Sequence, residues 1–483
     1  MDRRSFVIGA GATALAAGSS SRLAAQAAST RTTARLQSEA LSPAARAQLT
    51  NDLGLHRICR TRPNINSLSA AQLAALKQGI TVMQSRPVSD PTSWLYQAGI
   101  HGSNLNPQRP QWGTCQHGTL HFLSWHRLYL YYFERILRAA SGSSTLMLPF
   151  WNWGADRALP APFRDNSGGN PLFITNRASG MNGGALIPAS AVSAAAAMPL
   201  TAYSGFTGSI EGTPHGSVHV SVGGWMSSFN TAGQDPIFWL HHCNIDRLWE
   251  TWLAQGGGRA NPTDAGWRDR QFTFFDETGA ARTVKASRAA VTCGTLGYNY
   301  PRRRLLDLSQ ILATQISPIL ADRIRPPRSA VAAPSVALGG RPVEATVALP
   351  PRRAGATAQR TYISFDDIDV ANPEGYYEIY LNPPPGRTPD FTDPSYAGNL
   401  VLFGLTPADR DGMHKGHGAM AEMSARRVFD VTRKIEQLAR TKGFDPAKLR
   451  VVLILRTPEG GGAARPAVDA PRARIGAIRV ISQ

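Results

Sequence analysis

The hydrophobic pattern divides the chain into a helical part and a part that reads as strands. Ser69-Ala70-Ala71-Gln72 has the serine and glutamine of a capping box, and Leu73, Leu76, Ile80 and Met83 follow at helical spacing. That predicts a first helix, ended by Pro87. A second helix is predicted from about Thr119, with an apolar stripe running through Phe122, Trp125, Tyr129, Phe133 and Ile136. A third covers about Phe238 to Leu253, with Ile245, Leu248, Trp249 and Trp252 on one side. Between the second and third, residues 156–202 are rich in Gly, Ala and Pro and read as long irregular connections. A Pro- and Ala-rich stretch at 326–355 reads as a linker. Beyond it, runs such as Tyr376 to Tyr380 and Val451 to Leu455 carry strand signals, so 356–483 is expected to be a separate β-rich domain. The expected fold class is mainly α, with a central helical bundle and a β-rich tail.

Composition narrows the function classes. The chain has 483 residues, of which 42% are apolar, so a large core can be buried and wholesale disorder is excluded. The net charge is +18, carried by 45 arginines and 6 lysines scattered along the whole length. A nucleic-acid interface would gather such charge on one face with interleaved aromatics, so no nucleic-acid partner is expected. No apolar run reaches the roughly 20 residues of a membrane-spanning helix. Arg3-Arg4 before the small apolar stretch Ile8 to Gly18, with Ala25-Gln26-Ala27 behind it, reads as a twin-arginine signal over residues 1–27. Export to the periplasm or the exterior is then expected. Four cysteines are too few for a disulfide scaffold. Cys59 and Cys293 could pair after export, but sequence does not establish their proximity.

The chemistry lies in the histidines. Eight of the eleven fall into two clusters: His101, His117, His121 and His126, then His215, His219, His241 and His242. His126 shares the apolar stripe of the second helix, and His242 lies with Ile245 and Trp249 on the inward side of the third. His215 and His219 are neighbours if their segment is helical, whereas the alternation of Val218, Val220 and Val222 argues for a strand. The local pattern leaves both open. Several inward imidazoles need a partner for their polar nitrogens, and a metal is the commonest one. All-imidazole ligation suits copper, zinc, iron or nickel. A zinc hydrolase is the obvious competitor, but His215-Gly-Ser-Val-His219 lacks the glutamate of the His-Glu-x-x-His motif.

Two longer stretches narrow the choice. His117-Gly-Thr-Leu-His-Phe-Leu-Ser-Trp-His126-Arg127 resembles the copper A signature of the tyrosinase, catechol oxidase and hemocyanin family of type-3 dicopper proteins. Asp235-Pro-Ile-Phe-Trp-Leu-His-His242-Cys-Asn-Ile-Asp246-Arg-Leu-Trp is similar to its copper B signature. The resemblance is strong over residues 55–320. It implies a dicopper catalytic domain at 28–325, followed by a C-terminal β-sandwich that shields the site. It further implies two coppers, one held by His101, His117 and His126 and the other by His215, His219 and His242. Three imidazoles per copper leave each metal an open position, where O2 can bridge the pair. The implied activity is polyphenol oxidase: catechol oxidase, with tyrosinase-like hydroxylation of monophenols as a weaker second activity. O2 and small phenols are the implied partners, and oxygen carriage of the hemocyanin type is the alternative.

The same resemblance assigns further roles. Glu211 matches a water-holding glutamate, and Phe229 an aromatic gate on the copper B side. Cys115 matches the cysteine of a Cys–His thioether, with an inert thiol as the competing reading. His241, just before the ligand, is expected beside the ligands rather than among them, and His121 falls at a non-ligand position. Asp246, four residues after His242, is expected either to orient an imidazole or to form a surface ion pair. Gly216 stands where many tyrosinases have asparagine, which argues for diphenol over monophenol chemistry. Met413, His414, His417, Met420 and Met423 could hold Cu(I) transiently, but read more simply as a surface loop.

Overall fold

The computed structural model describes residues 59–301, 314–316, 324, 332–333, 335–351, 360–373, 375–406, 425–458 and 471–483. The twin-arginine segment and the Met413–Met423 segment lie outside the described residues. The chain divides into two compact units. In the smaller, Met1–Cys59 with Thr292–Gly297, Cys59 and Cys293 form a disulfide with their Cα atoms 5.2 Å apart. The larger is Arg60–Val291 with Tyr298–Gln483.

The helices sit where the periodicity places them. Helix α1 spans Ala70–Ser85, and its capping box is formed in both directions between Ser69 and Gln72. Helix α2, Trp94–His101, starts on the Ser93 hydroxyl and ends at His101. Helix α3, Phe122–Ser141, stops at Gly142, whose left-handed φ of +68° suits a residue without a Cβ. Helix α4, Tyr203–Ile210, runs through a π-type turn at Glu211–Gly216 into the short helix α5, Ser217–Val222. Helix α6 is Ile237–Ala254. Its N-terminus is anchored by Asp235, which accepts from the Ile237 backbone N–H and is clamped by both ends of the buried Arg177 guanidinium at 2.8 Å. Helices α3 and α6 pack together, with the rings of Phe133 and Trp239 stacked between them.

A buried polar cluster ties these helices to the chain's early and late segments. Arg62 reaches Glu134 of α3 at 2.8 Å and lies 3.7 Å from the centre of the Tyr298 ring. Asp246 of α6 receives Arg127 at 2.5 Å, Tyr298 at 2.6 Å and Tyr300 at 2.7 Å, with Arg62 at 3.4 Å. Every member of that group is less than a tenth exposed, so its charges are paired where water cannot screen them.

The C-terminal region is built from strands. They are β1 (Thr314–Ile316), β2 (Ala332–Ala333), β3 (Val336–Leu338), β4 (Val343–Val347), β5 (Thr361–Val370), β6 (Tyr376–Leu381), β7 (Tyr396–Val401), β8 (Arg427–Asp430), β9 (Leu449–Arg456) and β10 (Ala473–Ser482). One antiparallel sheet runs β7-β6-β9-β4 and the other β1-β8-β5-β10-β2, with β3 also on β10. Ile379, Leu453 and Val347 of the first share a core with Ile363, Phe429 and Ile478 of the second. Residues 332–347 were expected within a linker; they instead supply three strands. Their alanine-rich composition hid short strands such as Val343–Val347, whose residues alternate between partly buried and exposed.

Candidate metal centre

Four helical elements deliver the histidines to one place. His101 closes α2, His126 lies in α3, His215 and His219 flank the junction of the π-type turn with α5, and His241 and His242 lie in α6. His117 comes from the turn before α3. The two sequence clusters merge into one. Ring centres in the first trio are 5.0 Å (His101–His117), 5.0 Å (His117–His126) and 5.7 Å (His101–His126) apart. In the second they are 4.7 Å (His215–His219), 5.1 Å (His215–His242) and 5.4 Å (His219–His242). The His126 and His242 rings stack at 4.4 Å and join the two trios. All six are at most 3% exposed.

The hydrogen bonds set the tautomers. The Nδ1 of His101, His126, His215 and His219 lies 2.7–2.9 Å from the carbonyl of Phe229, Phe122, Glu211 and Met226 respectively. A carbonyl only accepts, so each Nδ1 carries the proton and each Nε2 keeps its lone pair. His117 Nδ1 meets the Cys115 sulfur at 3.2 Å. The Nε2 atoms of His101, His117, His126 and His215 are buried without a partner, and those of His219 and His242 face each other at 3.3 Å. Burial holds the imidazoles neutral, with the pKa down to about 4 at His101 and about 3 at His215. Neutral, buried, convergent Nε2 lone pairs are the donor set of a soft-to-borderline transition metal.

Glu211, His117, His215, Phe229, Phe403 and Arg427 line a cavity of about 30 Å3 beside the cluster. Glu211 accepts from the Gly118 N–H at 2.5 Å through Oε1, while Oε2 is buried and unpartnered. Burial pushes its carboxyl up to about 8, against the pull of that N–H and of the Arg427 charge. Arg427, brought in by β8, gives its guanidinium hydrogens to the carbonyls of Arg426 and Phe403.

Two expected roles change. Asp246 does not orient His242: its oxygens go to the two arginines and two tyrosines named above, because buried guanidinium groups need a carboxylate. It is not a surface pair either, being 4% exposed. Phe229 lies against His117 of the first trio, its ring stacked at 4.2 Å, rather than over the second. The aromatic stacked on His219, also at 4.2 Å, is Phe403, just past β7 of the C-terminal region. Gly404, at a φ of +72°, lets the chain pass against the Phe229 ring where any Cβ would collide. Nothing local in the sequence marks Phe403, since its role depends on how two distant regions pack. His121 stands outside the cluster, with its Nε2 at 3.3 Å from the Trp267 carbonyl. His241 is inside it, and its Nδ1 accepts from the Trp153 indole N–H at 3.2 Å.

Comparison with known proteins shows what the chain resembles. Residues 91–201 and 177–255 match the common central domain of tyrosinase, and residues 329–464 match a domain of unknown function, DUF7868. Tyrosinase HcTyr1 of Hahella sp. (strain CCB-MM4) is 29% identical over 460 residues, which is 82% of this chain and 95% of that protein. The latent polyphenol oxidase of Prunus armeniaca is 30% identical over 287 residues, and there the chain spans about half the length of its relative (48%). The structure of latent apple tyrosinase superposes with a TM-score of 0.59 over 88% of this chain and 97% of that one, at 22% identity, and shows the same fold. Residues 91–255 thus carry the match to the tyrosinase central domain, and the chain is similar to a bacterial tyrosinase and to plant polyphenol oxidases.

Proposed function

We propose that the protein oxidises o-diphenols to o-quinones with O2 at a dicopper centre held by His101, His117 and His126 on one side and His215, His219 and His242 on the other. The observation that carries this is the convergence of six buried imidazoles, four of which have their Nδ1 protons tied to carbonyls and so keep their Nε2 lone pairs for a metal. Two coppers would supply the redox chemistry, with two diphenols giving four electrons to each O2 and two waters leaving. The protein's own part is to hold the nitrogens in place, to exclude bulk water with the Phe229 and Phe403 rings, and to keep beside the centre the Glu211 carboxyl, which burial makes basic enough to take up a substrate proton once it has released its own. Cys115, with its sulfur beside the His117 ring, would fix that ring further as a thioether, the S–H and a ring C–H giving up two hydrogens to O2 in a copper-dependent oxidation. The α-helices form the bundle around the centre, the two sheets form the sandwich that shields it, and residues 1–27 direct export.

The test is metal content with O2 uptake. The full chain should bind two coppers and consume O2 steadily with catechol, forming quinone. A hemocyanin-type carrier would bind O2 without turnover. His126→Ala and His242→Ala should each lose about one copper and essentially all activity, while His121→Ala keeps both metals. Two coppers and normal turnover in either ligand variant would refute the assignment.

A further inference from the structure

Seven buried histidines meet at the centre, and one of them differs from the rest. A ring nitrogen of His241 lies within 4.8 Å of ring nitrogens of His215, His219 and His242, so by position it competes for the second copper. Its hydrogen bond runs the other way. The indole Nε1–H of Trp153 can only donate, so His241 Nδ1 must accept. In a neutral imidazole the proton is then on Nε2, and an imidazolium is ruled out because its Nδ1–H would point at the indole N–H. His241 Nε2 is buried without a hydrogen-bond partner, as are four of the ligand Nε2 atoms, but here the lone pair of Nδ1 is taken and Nε2 carries the proton, so neither nitrogen is available to a metal. The ligand histidines bonded to carbonyls have the opposite tautomer.

We propose that Trp153 fixes His241 as a non-ligand, so that the second copper keeps three imidazoles and an open position. This rests on the dicopper reading above and adds a positioning residue to it. The segment carrying Trp153 is built for the purpose. The Trp151 backbone N–H donates to the Leu240 carbonyl at 3.2 Å, and Asn152 accepts from Arg247 at 3.2 Å. Those bonds fasten the segment to α6 on both sides of His241. Trp153 is 2% exposed, so water does not compete with its indole for Nδ1. A fourth imidazole would saturate a tetrahedral metal and close the position the chemistry needs.

Two measurements test this. The first is 15N imidazole NMR of the full chain without metal. His241 should be protonated at Nε2, and His101, His126, His215 and His219 at Nδ1; a proton on Nδ1 of His241 overturns the proposal. The second uses Trp153→Phe, which keeps a ring but has no N–H. Freed of the indole, His241 should join the second metal. Release of that copper to a chelator should slow tenfold or more, and the cobalt(II)-substituted protein should change its visible spectrum. Trp153→Phe/His241→Phe should restore both readouts. Unchanged release and an unchanged cobalt spectrum in a folded Trp153→Phe protein would overturn the idea. Should that variant not fold, the NMR result on the native chain decides alone. A copper content other than two in the native protein would strike the dicopper reading and leave the tautomer result standing.

Discussion

His241 is set apart at this centre by the indole N–H that its Nδ1 accepts, where four of the other imidazoles have Nδ1 on a carbonyl. His241 and His242 are adjacent in sequence and equally buried, yet only one is paired with an indole donor. Sequence placed the histidines, because their residue type and helical spacing are local properties. It could not place Asp246, because the partners that claim it are up to 184 positions away. The consequence is testable. Asp246→Asn removes the carboxylate that Arg62 and Arg127 share while each keeps another, Glu134 and Glu250, so the loss should lie at the low end of the about 3–5 kcal/mol that breaking a buried pair costs. Urea unfolding should show a loss of that order, while the folded fraction still binds two coppers. Loss of copper at unchanged stability would return Asp246 to the role of orienting His242.

Among the elements, the long helices were legible and the His215–His219 segment was not. Helices α1, α3 and α6 have caps, stoppers or stripes that a period of 3.6 reveals. Residues 217–222 are buried on every side, so the valine alternation carried no information about a solvent face. The segment is helical, entered through a π-type turn that turns His215 inward. The same turn explains Gly216. A Cβ there would stand 3.0 Å from Val401 and 3.3 Å from the Glu211 carbonyl, so the glycine makes room for β7 of the C-terminal sheet. Asparagine at this position is expected to raise monophenol hydroxylation relative to diphenol oxidation, by polarising a water held near Glu211. Gly216→Asn alone would meet Val401. Gly216→Asn/Val401→Ala should fold, keep both coppers and raise the monophenol-to-diphenol ratio above that of Val401→Ala. An unchanged ratio in the copper-replete double variant would show that Gly216 is there for packing alone.

At the scale of the whole molecule, the catalytic region and the sheets meet at the centre itself. Phe403 stacks on His219, stands edge-on to Phe229 at 4.5 Å between ring centres, and forms part of the wall of a cavity of about 30 Å3. At about 10–15 Å3 per water that cavity holds a few waters at most, and no phenol. If substrate enters through this cavity the Phe403 ring has to leave, and a C-terminal region acting in this way would hold the enzyme closed. Removing the ring tests this without cutting the chain. Phe403→Ala should open space beside His219 and raise catechol oxidation several-fold at unchanged copper content. Phe403 is 5% exposed, so the truncation should also destabilise the fold, by about 3–5 kcal/mol if the site behaves as a core position. Activity is therefore compared at a temperature where both proteins are folded. Phe429→Ala provides the control, since that residue lies between the two sheets and has no ring stacked on a histidine. It should destabilise without activating. Equal activation by both variants would mean that loosening the sheets, rather than vacating the His219 face, opens the centre. No activation by Phe403→Ala, with both coppers bound, would mean that phenols reach the metals by a route this ring does not block.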